Sequence, residues 1–79
     1  MSDSVELEVG AVFASVLGVP QESLAADASP DTIATWDSLT HINLMLAVEG
    51  ACGVRFAPDE LIELRTFGAV VDHVKASRG

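Results

Sequence analysis

Apolar residues recur at helical spacing up to Leu17 and are then cut off by Gly18 and Pro20. That pattern of periodic run and hard stop restricts the fold more than any other feature of the chain. Val5, Val9, Val12, Phe13, Val16 and Leu17 share one side of a helix, with Glu6 and Glu8 on the other. Such a period belongs to an amphipathic helix, not to the strict alternation of a strand. It predicts a first helix from about Ser4 to Leu17. Ser4 is read as its N-cap, and the acids of the first turn complement the positive end of the helix dipole. Gly18 followed by Pro20 terminates it.

From Val19 to Trp36 no period holds. Pro20, Ser23, Asp27, Ser29, Pro30 and Asp31 are turn and cap residues, and Leu24, Ile33 and Trp36 are isolated apolar anchors. A connection this long inside a small domain is expected to be packed or functional. The anchors predict a loop laid over helix ends, with a short helical turn near Asp31 to Ala34. A second helix follows from Ser38 to about Gly50, capped by Asp37 or Ser38 and closed by Gly50 and Gly53. Its apolar face is read as Leu39, Ile42 and Leu46, with Met45 and Val48 beside them. Thr40, His41, Asn43 and Glu49 take much of the remainder. Val54-Arg55-Phe56 alternates over too short a span to be more than an extended connection. Pro58 suits the first position of a short third helix carrying Asp59 and Glu60 in its first turn and Leu61, Ile62 and Leu64 as apolar members. Thr66 caps a last helix whose buried stripe is Phe67, Val70, Val71 and Val74. Lys75 and Arg78 stand at its C-terminal end, where the dipole favours cations. The expected fold is all-α: a small four-helix bundle with a long first loop and a short third helix, in one domain over residues 1–79.

Size and charge narrow what such a bundle can do. Seventy-nine residues bury only about 60% of the surface of the unfolded chain, which leaves little core to wall off a deep catalytic cleft. A hydrophobic content of 49% argues against disorder despite the charge. Four Lys plus Arg against twelve Asp plus Glu give a net charge of −8. That sign disfavours nucleic acid and anionic membrane surfaces and steers the protein toward basic partners. No apolar stretch approaches the roughly 20 residues that span a bilayer. Met1-Ser2-Asp3-Ser4 lacks the basic start of a signal peptide, so the expected location is the cytoplasm; separately, a monomer is expected. Cys52 is single, which excludes an intramolecular disulfide, and its neighbours Ala51 and Gly53 cannot activate a thiolate. It is read as a small buried filler. The two histidines and the cysteine lack metal-ligand spacing, so no intrinsic metal is expected.

The segment that invites chemistry is Asp37-Ser38-Leu39, set directly after Trp36 at the start of an apolar run reaching Val48. A serine there is most often a plain cap. The same position also leaves a hydroxyl open to another enzyme, and a phosphate placed on it would lie beside the positive end of the helix. Asp37 could cap, or contact a basic patch or the metal region of a modifying enzyme. His41, three residues on, could reach Ser38. An orienting acid and an oxyanion hole are not evident, however, so a hydrolytic pair is disfavoured. His41 is read as an exposed docking residue and His73 as a solvated surface group. Two other functions remain open from these residues: an acidic helical adaptor with Ser38 as a structural cap, and a regulatory module phosphorylated at Ser38.

Trp36-Asp37-Ser38-Leu39, the helix after it, the Gly-rich break, Val54-Arg55-Phe56-Ala57-Pro58-Asp59-Glu60 and the Thr66-Phe67 restart together resemble the acyl carrier proteins and the related peptidyl carrier domains. The resemblance covers nearly the whole chain. It implies that Ser38, flanked by Asp37 and Leu39, is esterified by a phosphopantetheinyl transferase using coenzyme A. The resulting 4′-phosphopantetheine arm would hold acyl or aminoacyl cargo as a thioester, and the protein itself would catalyse nothing. Further implied partners are an acyl- or aminoacyl-loading ligase or transferase and ketosynthase or condensation-type enzymes. They would dock through Thr40, His41, Asn43, Met45 and Glu49. The apolar interior would let helices part to admit a chain, with Val12, Leu46, Ile62 and Val71 as lining candidates that ordinary packing explains equally well. Carriers of general fatty-acid synthesis bear several acids along the helix after the serine, whereas this helix has only Glu49. Docking should therefore depend more on shape than on charge. The expectation is a discrete carrier in polyketide, nonribosomal peptide or other specialised biosynthesis.

Overall fold

The computed structural model describes residues 4–78; the signal-peptide reading, which falls on the first residues, lies largely outside them. Four α-helices follow in order: α1 (Ser4–Leu17), α2 (Ser38–Cys52), α3 (Pro58–Glu63) and α4 (Phe67–Arg78). One 3-10 turn, Gln21–Ser23, interrupts the first connection. Every regular element among the described residues is helical, as the periodicity predicts. Ser4 is itself helical rather than an external cap.

Phe13 sits at the centre of the core. Its ring meets Trp36 edge-on at 5.4 Å and Phe67 at 5.0 Å, the T-shaped arrangement that the aromatic quadrupole favours. Val9 and Leu17 of α1, Leu44, Met45 and Val48 of α2, Val70, Val71 and Val74 of α4, and Val54 and Phe56 of the connection after α2 pack into the same core. Valine and leucine thus do most of the filling. Cys52 is buried among them, in keeping with its reading as a filler.

The first connection is laid over helix ends, as its anchors suggest. Trp36 and Ala28 are buried, and Leu24 and Ile33 pack half-buried against the core. The loop also satisfies helix termini that would otherwise lack partners. Phe67 N–H donates to Ala28 C=O at 3.0 Å and Gly68 N–H to Ala26 C=O at 2.8 Å, at the start of α4. The Thr35 hydroxyl donates to Leu17 C=O at 2.8 Å, at the end of α1. A Cβ on Gly68 would stand 2.8 Å from Ala26 O, so the close approach of loop and α4 requires glycine. The helical turn expected near Asp31 to Ala34 is a single one that does not grow into a helix: Thr32 N–H and Ile33 N–H both donate to Ser29 C=O at 3.0 Å, and the short 3-10 helix lies earlier, at Gln21–Ser23. Thr66 caps α4, its hydroxyl accepting from Ala69 N–H at 3.1 Å.

α2 departs from expectation in length and in face. It runs to Cys52, two residues past Gly50, and Gly53 ends it in the left-handed region (φ 70), where a side chain would be strained. Its buried stripe is His41, Leu44, Met45, Val48 and Cys52. Leu39, Ile42 and Leu46, expected to form the inner face, point outward at 72%, 43% and 55% exposure. Ile62 of α3 is also 68% exposed. Of the four residues considered for an interior chain site, Leu46 and Ile62 therefore face solvent. Val12 is half-buried and Val71 belongs to the packed core.

Candidate functional site

Ser38 is the first residue of α2, and Asp37, Ser38 and Leu39 are all exposed. Asp37 has extended backbone (φ −101, ψ −174), and its Oδ1 accepts from Thr40 N–H at 2.8 Å. Its own carbonyl accepts from His41 N–H at 2.8 Å. The helix therefore starts on Asp37, and Ser38 is spared the capping task. The Thr40 N–H, helped by the Thr40 hydroxyl, holds the Asp37 carboxyl below the ordinary carboxylate range, since hydrogen bonds to the charged form favour it. Among the described residues none engages the Ser38 hydroxyl.

That hydroxyl opens on a groove of about 200 Å³ between α2 and α3, lined by Ser38, His41, Ile42, Leu61, Ile62 and Arg65. A larger depression of about 560 Å³, between α1 and the first connection, shares none of these residues and has no part in the site. Among the described residues no carboxylate pairs with Arg65. Ile62, a lining candidate for the interior, instead lines this surface groove, and Arg65 reaches it although nothing in its local sequence marks it.

His41 is not an exposed docking residue: only 8% of its surface is accessible. Trp36 Nε1–H donates to its Nδ1 at 2.9 Å, and its Nε2 lies 2.6 Å from Leu61 C=O. An indole nitrogen only donates and a carbonyl only accepts. Nδ1 must therefore be bare, and Nε2 carries the proton given to Leu61. The two rings lie nearly parallel, 20° apart, with centroids at 6.0 Å. With both nitrogens committed, His41 cannot act as a base toward Ser38, and the hydrolytic pair is closed off.

Two further docking candidates are engaged within the fold, one wholly and one in part. Met45 is fully buried, because it lies one turn beyond His41 on the inner stripe. Glu49 is half-buried, and its Oε2 accepts from Phe56 N–H at 2.8 Å, tying the end of α2 to the connection after it. Thr40, half-buried, and Asn43, exposed, stay at the surface. Leu39 faces solvent rather than the core. His73 is likewise not a solvated group. Its ring rests on Phe56 at 4.8 Å, Nε2 is 3.3 Å from Arg55 C=O, and Nδ1 is 3.6 Å from Glu60 Oε2. Among the described residues no three His, Cys, Asp or Glu side chains converge as a metal site.

Ser38 thus stands exposed at the mouth of α2, beside apolar side chains and with its hydroxyl, among the described residues, without a hydrogen-bond partner. The family model described as phosphopantetheine attachment site matches residues 8–74, and the chain belongs to that family: it is a carrier protein whose covalent group is 4′-phosphopantetheine. None of the curated proteins compared with it matches the chain. Domains of this family are non-catalytic, are modified by a phosphopantetheinyl transferase and work with biosynthetic enzymes. No helix among the described residues is long and apolar enough to cross a membrane.

Proposed function

We propose that Ser38 bears the 4′-phosphopantetheine and that the chain is a discrete carrier in polyketide, nonribosomal peptide or other specialised biosynthesis. The observation that carries this reading is the pairing of an exposed, uncommitted Ser38 hydroxyl with a cap supplied by its neighbour Asp37. When bound, the group supplies a terminal thiol that holds cargo as a thioester. The chain's own residues do the rest. Asp37 fixes the helix mouth. Ser38 offers the oxygen, at the positive end of α2. Arg65 is the cation that shares its groove.

Support for a specialised role comes from the exposed face of α2. It carries Leu39, Ile42, Asn43 and Leu46 rather than acids, so partner enzymes would read it through apolar contact and shape. Thr40 and Asn43 remain docking candidates, now joined by Leu39, Ile42, Leu46 and Ile62. Incubation with coenzyme A and a broad-specificity phosphopantetheinyl transferase, followed by intact-mass measurement, tests the attachment. The wild type should gain one arm and Ser38→Ala none. No gain in the wild type, or an equal gain in Ser38→Ala, overturns the assignment. A phosphate-sized gain in cells would favour the regulatory reading instead. Fatty-acid synthase partners should use the loaded protein poorly, and efficient turnover with them would refute the specialised role.

A further inference from the structure

We propose that His41 is a positioning residue, which by bridging Trp36 to Leu61 fixes α3 beside Ser38 and so sets the surface on which a phosphopantetheinyl transferase seats. The inference rests on the Ser38 reading above and adds to it a residue that never touches the reacting hydroxyl. Ser38 stands in sequence between the two side chains of the bridge. One end is Trp36, buried at the close of the first connection, and the middle is His41 in the first turn of α2. The far end is the Leu61 carbonyl of α3, at 2.6 Å.

The need for a bridge follows from how α3 is held. None of its residues is fully buried. Leu61 N–H bonds to Ala57 C=O and Leu64 N–H to Glu60 C=O, but these bonds shape the helix without placing it. Placement comes from half-buried Leu61 and Leu64, from His73 near Glu60, and from His41. The chemistry at position 41 is demanding because a group between an indole N–H and a carbonyl must accept at one end and donate at the other. A neutral imidazole in the Nε2–H form does both. Leu61 and Ile62 of α3, with Arg65 just beyond it, form the far wall of the groove that contains Ser38. Moving that wall alters what a docking enzyme meets and leaves the hydroxyl intact. A loss of this kind weakens ground-state and transition-state binding equally, so it raises KM and spares kcat.

The experiment compares the full chain, His41→Asn and His41→Gln as substrates of a broad-specificity transferase with coenzyme A. Amide hydrogen exchange and imidazole ¹⁵N spectra are recorded alongside. Asparagine offers Trp36 an acceptor but is too short to reach Leu61. In His41→Asn, KM for the carrier should rise about tenfold with kcat held within about twofold. Its Leu61 and Leu64 amides should exchange about tenfold faster, while those of Leu44 to Val48 keep their protection. Glutamine restores the donor toward Leu61 and should bring KM back to within about threefold of wild type. The wild-type imidazole should show a bare Nδ1 and a protonated Nε2. An unchanged KM in His41→Asn, a protonated Nδ1 in the wild type, or equal impairment of both variants would overturn the proposal. If His41→Asn does not fold, the wild-type spectrum and the glutamine variant decide. A wild type that cannot be primed sinks the Ser38 reading itself. A primed wild type with an indifferent His41→Asn sinks only the positioning role.

Discussion

α2 and α3 border the same groove, yet they are held in place by different physics. α2 sinks Leu44, Met45 and Val48 completely into the core, whereas no residue of α3 is fully buried. α3 instead relies on two half-buried leucines and on polar contacts from the two histidines, His41 to Leu61 C=O and His73 near Glu60. Apolar burial is non-directional and scales with area, so the α1–α2–α4 side decides whether the chain folds. Hydrogen bonds contribute less net energy but fix direction, so the α3 side decides where one wall of the Ser38 groove stands. A carrier handled by several enzymes in turn gains from that division. Its core can stay rigid while the wall beside the serine is set by a few bonds.

The largest expected effect lies on the core side. Phe13→Ala removes the ring that joins Trp36 and Phe67, and such truncations cost about 3–5 kcal/mol. Against the 5–15 kcal/mol typical of a domain, chemical denaturation should show a protein close to unfolding. A loss below about 1 kcal/mol would place the core elsewhere. Next comes His41→Ala, which leaves the buried Trp36 N–H without a partner. Stranding a buried donor costs about 1–3 kcal/mol. The same denaturation series should place this variant between Phe13→Ala and the surface substitutions.

The two sides also differed in how far they could be read in advance. The helices, the loop packed over helix ends and a cap at Asp37 or Ser38 (of which the structure uses Asp37) followed from local chemistry: periodic valines, turn residues, and short polar side chains before an apolar run. The face of α2 did not. Residues 39, 42 and 46 and residues 41, 44, 45, 48 and 52 are both helical stripes, because apolar residues occur on every side of this helix with polar ones scattered among them. Periodicity alone therefore had two solutions. What selects the second is a tertiary fact, the Trp36 N–H awaiting an acceptor, which turns a polar His41 into an inner residue. The roles of Met45 and Glu49 changed with it. His73 leaves the solvent for a related reason, since its partners Arg55, Phe56 and Glu60 are distant in sequence.

A smaller effect should appear at the mouth of α2. The Asp37 carboxyl titrates below its ordinary value of 3.8 when folded, so its charged form is the one folding favours. Its contribution is present in full above the unfolded value and fades as the pH falls through the lower, folded one. Asn caps as well as Asp but lacks the charge. Melting temperatures of wild type and Asp37→Asn should therefore differ slightly near neutral pH, with the wild type higher, and converge in acid below the ordinary value. A difference that persists or grows in acid would mean that the Thr40 bond is not what lowers the carboxyl.

The smallest effect is expected where sequence periodicity alone would have placed core. Leu46 and Leu44 are two positions apart on α2, with one 55% exposed and the other fully buried. If the inner stripe is the one containing His41, Leu44→Ala should cost about 2–5 kcal/mol, the usual range for a buried leucine. Leu46→Ala should then stay within about 0.5 kcal/mol, as surface substitutions do. Reversed values would restore the outer stripe to the core and undo the burial of His41 with it. A near-silent Leu46→Ala also has a positive meaning. A leucine that adds almost nothing to folding, beside Leu39, Ile42 and an exposed Ile62, keeps its apolar surface available for partners. That is the arrangement expected of a face read by shape.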